Sequence, residues 1–135
     1  PLWRWCDVSA FGEGSGAVNS YYHAKNSANR YGGKPEDYQP VHDFIDSTKA
    51  AVGDVRHRAV LHNAFGCFVA ERVFGTTITN SDGRKVPVRL LCEEHIIEDL
   101  GKLPTLAECL EGLPVTDLLA ARMRVKKVIR FDSKE

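Results

Sequence analysis

Glycine cuts this chain into pieces of helical length. Gly32-Gly33, Gly53, Gly75 and Gly101 each follow a segment long enough for several helical turns. Glycine is the commonest residue just past a helix end, because it adopts the backbone angles that terminate one. The spacing predicts a helix from Ser20 to Tyr31, stopped at Gly32-Gly33. A second helix is expected from near Pro40 to about Val52, with proline in its first turn and Gly53-Asp54 after it. A third, from Val55 to Phe74, is the longest and most apolar. It carries Ala59, Val60, Ala64, Cys67, Phe68, Ala70 and Phe74, so it should be central.

After Gly75 the pattern changes. TTITNSDGRKVPVRLL alternates strand-forming residues around Asp82-Gly83, the pair that supplies a tight turn, so a β-hairpin is expected near residues 76 to 90. Pro87 lacks an N–H and places the second strand at a sheet edge. A fourth helix is expected from near Leu91 to Gly101. Thr105 is a good N-cap for a fifth, with Glu108 completing a capping box. Thr116 starts a last helix, apolar through Leu118, Leu119, Met123 and Val125 and basic at its end. The fold class is therefore mainly α with one β-hairpin (α+β), a small single-domain core resembling a helical bundle.

Residues 1 to 17 differ in composition from the rest of the chain. An aromatic start with Trp3, Trp5 and Phe11 leads into Gly12, Gly14, Ser15 and Gly16, a flexible composition. We divide the chain into an amino-terminal arm, 1–17, and one helix-rich domain, 18–135. Val18 is a candidate alternative translation start, because GTG encodes valine internally. The arm is either an ordinary extension or an anchor that binds a partner through Trp3, Trp5 and Phe11.

The 135 residues suit one domain. The 18 basic and 18 acidic side chains cancel, which removes the overall electrostatic case for nucleic acid or an anionic membrane. No apolar run approaches the roughly 20 residues of a membrane span, and the start lacks the order of a signal peptide. A cytoplasmic location is the expectation. Cys6, Cys67, Cys92 and Cys109 form no close pair, which argues against zinc ribbons and redox motifs.

The chemistry-bearing residues are the five histidines: His23, His42, His57, His62 and His95. Two of them open the same spacing, His42-x-x-x-Asp46 and His95-x-x-x-Asp99. Residues four apart lie on one helix face, so each pair can present an imidazole beside a carboxylate. Such a set can hold zinc, manganese or iron. The candidate ligands are His42, Asp46, His57, His62, His95 and Asp99. His57 and His62 are five apart, a poor same-face spacing, so one of the two is expected to join the others. The ExxH signature of di-iron bundles is absent, and His42-Asp43 matches the HD pair of phosphohydrolases in two letters only. The competing reading is structural: the same histidines can cap helices or form hydrogen-bonded pairs without an ion.

Arg56 and Arg58 flank His57 and are candidate anion contacts, since guanidinium forks suit phosphate oxygens. Arg72, Arg84 and Arg89 can extend that set, although surface salt bridges account for such arginines as simply. No phosphate loop, dinucleotide fingerprint or nucleophile elbow occurs.

From His23 to about Leu110 the chain resembles a family of small, uncharacterised bacterial and phage proteins. The runs that carry the resemblance are HAKNSANRYGGKPEDY, VHDFIDSTKA, DVRHRAVLHNAFGCF, ERVFGTTITNSDGRKVPVR and EEHIIEDLGKLPTLAECL. The family is a domain of unknown function, so the resemblance implies little chemistry. Its members begin just before the histidine that matches His23, which implies Val18 as the original start. Where relatives often read HRALRHHAEG, this chain has Asn63 for a histidine and Phe65 for an acidic residue. If those positions belong to a site, the site is thinned here.

Three functions compete. The preferred one is a small cytoplasmic binding or regulatory protein, phage-related by resemblance, that acts by contacting a protein partner or another copy of itself. The second is a metal-dependent hydrolase, with His42, Asp46, His95 and Asp99 holding the ion and Glu94 or Glu98 as general base. The third is a structural subunit whose arm inserts between neighbours.

Overall fold

The computed structural model describes residues 15–121, with side chains described from residue 20. In order come α1 Ser15–Tyr31, α2 Pro35–Asp46, α3 Arg58–Leu61, α4 Ala64–Phe74, β1 Thr77–Thr79, β2 Lys85–Pro87, α5 Val88–Leu100 and α6 Leu106–Leu110, and a further helical stretch covers 117–121. The chain is thus mainly helical with one two-stranded antiparallel hairpin, as the sequence predicts. Helix α1 packs most extensively on α2. Helix α5 lies against α4 and α2. The core joins Tyr38, Val41 and Ile45 of α2 to Cys67 and Ala70 of α4 and to Leu91 and Ile96 of α5. None of the described helices is long and apolar enough to cross a membrane.

Several boundaries differ from the sequence expectation. Helix α1 begins at Ser15, so Ser15 and Gly16 belong to the helix rather than to a linker. Helix α2 begins at Pro35, not near Pro40. Pro35 takes the first-turn role that the sequence also offers to Pro40, and the Asp37 carboxylate accepts the Lys34 N–H at 2.8 Å to close the turn. Pro40 then sits inside the helix. It has no N–H to donate one turn back. The helix ends at Asp46, and Ser47–Ala50 winds on as a tighter 3-10 turn.

The largest departure concerns the segment from Val55 to Phe74. It is not one helix. Val55–His57 forms a 3-10 turn, α3 adds a single turn, and the chain bends at His62-Asn63 before α4. Asn63 builds the corner with both ends of its amide. Its oxygen accepts the Gly66 N–H at 2.8 Å, and its nitrogen donates to the carbonyls of Ala59 and Val60 at 3.1 and 3.2 Å. The turns pack so closely that a Cβ on Gly66 would lie 1.8 Å from the Leu61 carbonyl oxygen. Only glycine fits there.

In the hairpin Ile78 faces Val86, and Gly83 has φ +82°, the left-handed angle that its turn requires. Asn80 pins the loop to the α1–α2 corner, donating to the Tyr31 carbonyl at 3.1 Å and to the Tyr38 hydroxyl at 3.0 Å. Pro87 ends β2 and immediately precedes α5, which starts at Val88 rather than Leu91. The Thr105 hydroxyl accepts the Glu108 N–H at 3.1 Å and caps α6. Trp3, Trp5 and Phe11 of the arm, and the basic residues beyond Ala121, lie outside the described residues.

A candidate metal centre

Helices α2 and α5 each turn their His-x-x-x-Asp face inward, because those faces continue the apolar stripes of Val41 and Ile45 and of Leu91 and Ile96. The two faces meet. His42 Nδ1 lies 2.9 Å from His95 Nδ1. Asp46 and Asp99 both turn toward the outer nitrogen of His95, at 3.3 and 3.4 Å from its Nε2. The α3–α4 corner delivers His62 to the same point. Its Nε2 is 3.0 Å from Asp99 Oδ2 and 3.5 Å from Asp46 Oδ1.

Asp46, His62, His95 and Asp99 therefore converge. One ligand atom from each lies within 4.8 Å of the other three. The nitrogen-to-oxygen distances of 3.0, 3.3, 3.4 and 3.5 Å have a geometric meaning. A tetrahedron with metal–ligand bonds of about 2.0–2.1 Å has edges of about 3.3–3.4 Å. This group could hold a metal ion.

Burial sharpens the electrostatics. His62 and His95 are fully buried and Asp46 nearly so, while Asp99 keeps 19% of its side-chain surface. Burial alone would push the Asp99 carboxyl up, but hydrogen bonds from His23, His62 and His95 hold it far below the usual carboxylate range. Asp46 is lowered too, against its burial, by His95, Lys49 and His62. Burial disfavours the His95 imidazolium, yet the two carboxylates outweigh it and raise its pKa. Burial lowers His62, and Asp99 opposes that shift only in part. The second polar atoms of two of these residues, Asp46 Oδ2 and His62 Nδ1, are buried with no hydrogen-bond partner among the described residues.

Of the six candidate ligands, four come together and two stand behind them. His42 lies next to His95 but outside the convergent set, with its Nε2 2.8 Å from Ser27 Oγ. Burial, then the like charges of His95 and His23, drives its pKa well down. His57 packs its ring edge-on to His62 at 5.5 Å and sits beside Thr48. Its pKa is lowered to about 4, chiefly by burial. The five-residue spacing thus brings His62 and not His57 into the group.

Sequence reasoning did not place His23 at this site. Its Nε2 is 3.1 Å from Asp99 Oδ1, and its ring stacks on that of His95 with centroids 3.8 Å apart. The available signal was the pair His23-x-x-x-Ser27, a third helical i,i+4 pair that begins with histidine. Of the candidate general bases, Glu94 is engaged away from the group, while Glu98 lies beside it, 3.5 Å from His23 Nδ1. Glu94 accepts from the Tyr31 hydroxyl and pairs with Arg30 at 3.0 Å, and Glu98 accepts from Asn26. Arg56 has its fork filled by Asp54, with Nη2 to Oδ2 at 2.8 Å and Nε to Oδ1 at 3.0 Å. Arg58 Nε is buried without a hydrogen-bond partner among the described residues. Asn63 and Phe65, the positions at which the resemblance implied a thinned site, are not among the convergent residues. Asn63 makes the corner, and Phe65 is 49% exposed. Their identity does not thin the group of four.

No curated protein and no solved structure matches the chain. A family model does, over residues 18–119, which covers the hairpin and all four convergent residues. The chain belongs to the family described as Domain of unknown function (DUF6915).

Proposed function

We propose that this chain is a small binding or regulatory protein whose fold is held by one buried divalent metal ion, with zinc the best fit. The carrying observation is the convergence of Asp46 Oδ1, His62 Nε2, His95 Nε2 and Asp99 Oδ2, whose four nitrogen-to-oxygen separations of 3.0–3.5 Å are near tetrahedral edge lengths. Two carboxylates and two neutral imidazoles carry a net charge of minus two, so a divalent ion makes the centre neutral. Manganese and iron favour higher coordination, whereas four nitrogen and oxygen ligands suit zinc.

Four protein ligands close a zinc site, and closed sites are structural. Catalytic sites keep a position for solvent. That distinction favours a metal that ties α2, the α3–α4 corner and α5 together over one that activates water. The binding role is supported by an apolar surface. Val60, Phe65, Leu110 and Leu113 are each about half exposed around an open groove of ≈ 690 Å³. One observation keeps hydrolysis as a second reading: Asp99 is the partly exposed ligand, and Glu98 beside it keeps 17% of its side-chain surface.

The test is metal analysis of protein purified without added metal, and then visible spectroscopy of the cobalt-substituted chain. One ion per chain with the intense bands of four-coordinate cobalt supports the structural reading. A weak five- or six-coordinate spectrum would move the assignment toward a hydrolase. Absence of metal, and no uptake on adding it, would refute both.

A further inference from the structure

Helix α1 contributes no ligand to the convergent group, yet His23 touches both ligands of α5, and Ser27 reaches His95 through His42. His23 and Ser27 lie four apart, on one face of α1. Both are buried. Ser27 donates its single hydroxyl proton to the His23 carbonyl at 3.1 Å. With that proton on the carbonyl, its oxygen, 2.8 Å from His42 Nε2, is free to accept, which places the His42 proton on Nε2. A neutral imidazole has one N–H, so His42 Nδ1 is a lone pair. That lone pair faces His95 Nδ1 at 2.9 Å, so His95 carries a proton on Nδ1 and donates it. The outer nitrogen of His95 faces the Asp46 and Asp99 carboxylates, which only accept, so it donates to them until a cation takes the place of that proton.

The alternative arrangement shows what Ser27 contributes. If His42 carried its proton on Nδ1, it would donate to His95 Nδ1. His95 would then hold its proton on Nε2, pointing between the two carboxylates. Every hydrogen bond would be satisfied and no lone pair would face the centre. The closed form needs Ser27 to donate to His42 Nε2, and Ser27 opposes it by giving its proton to the His23 carbonyl instead. His23 acts in parallel on Asp99. Its Nε2–H engages Oδ1 at 3.1 Å and leaves Oδ2 for the centre, while its ring lies flat on His95 at an interplanar angle of 26°.

We propose that His23, Ser27 and His42 are positioning residues that set the proton placement and orientation of His95 and Asp99, so that both α5 ligands present lone pairs to the metal. The inference rests on the reading of the centre as a metal site. Partners of this kind, standing behind the ligands, typically change metal affinity by about 10–100-fold when removed.

The experiment uses the full chain and zinc alone, in competition with a chromophoric chelator. Ser27→Ala should weaken zinc binding by about 10–100-fold, and Ser27→Thr, which keeps the hydroxyl, should restore it. His23→Ala should weaken it similarly, with partial recovery in His23→Gln, whose amide can still donate to Asp99. Nitrogen-15 NMR of the metal-free wild type should find His42 protonated on Nε2, and Ser27→Ala should shift that proton toward Nδ1. The NMR arm needs no metal and would not respond to a general loss of packing. A folded Ser27→Ala chain that binds zinc as tightly as wild type would overturn the positioning role alone. So would His42 protonated on Nδ1 in the wild type. A wild-type chain that binds no zinc would instead refute the metal reading and this inference with it.

Discussion

Asn63→Ala tests the link between the fold and the centre, because Asn63 holds the corner that delivers His62. Its carboxamide oxygen caps α4 through the Gly66 N–H, and loss of an N-cap costs about 1 kcal/mol. Its nitrogen donates to the Ala59 and Val60 carbonyls, and each such bond contributes about 0.5–1.5 kcal/mol net. The side chain is fully buried, so water cannot easily replace these partners. The sum is about 2–4 kcal/mol, equivalent to a fall in Tm of roughly 8–16 °C for a domain of this size. The assay is thermal unfolding by circular dichroism in the presence of a chelator, which separates the corner from any metal contribution. Asn63→Asp retains the cap acceptor but turns a buried carboxylate oxygen toward the Ala59 and Val60 carbonyls, so at neutral pH it should be no more stable than alanine. A loss below about 0.5 kcal/mol in Asn63→Ala, the range of ordinary surface changes, would refute the role assigned to the corner.

Other expectations rest on the same structure. Gly66→Ala should cost about 3 kcal/mol or more, because its Cβ would meet the Leu61 carbonyl oxygen at 1.8 Å; an unchanged melting temperature would contradict that contact. Gly83→Val should destabilise the hairpin by about 1 kcal/mol or more, since a β-branched residue resists the observed φ of +82°; denaturant unfolding is the check. The pH dependence of the chelated protein has a definite sign. His57 titrates near 6.5 when unfolded and at about 4 when folded, so the unfolded chain binds the proton first. Its contribution is fully present above about pH 6.5 and is lost as pH falls toward about 4. His42 and His62 are lowered in the same direction. Melting temperature should therefore drop across that window, and a flat profile would contradict the burial of these rings. His95, whose pKa is raised, works the other way: its contribution is present below about 6.5 and lost as pH rises through its folded value.

The part of the centre that was legible in the sequence is the part that obeys one helical period. His42 with Asp46, and His95 with Asp99, share the spacing that places two side chains on one face, and the structure sets the faces against each other. What periodicity cannot show is a break in the helix. The residues from Val55 to Phe74 read as continuous because Asn63 and Gly66 are weak interruptions in an apolar run. Their effect depends on the carbonyls of Ala59, Val60 and Leu61, which approach only in the folded corner. His23 escapes the sequence reading for a related reason. Its partner one turn on is a serine, and the value of that serine appears only once His42 from another helix lies against it. The early start of α2 turns on Asp37, whose carboxylate closes the first turn at Lys34 and ties it to Ser81 of the hairpin loop at 2.7 Å.

The most direct test of the central claim is calorimetric titration of the metal-free chain with zinc near neutral pH, repeated in two buffers of different ionisation enthalpy. The account predicts one ion per chain, and proton release that grows as pH falls, because the ion displaces the proton that the neighbouring carboxylates favour on His95. Binding should be lost in His62→Ala with His95→Ala, and kept in His57→Ala, which removes a ring outside the convergent group. No uptake by the wild type, or uptake that survives loss of His62 and His95, would contradict it.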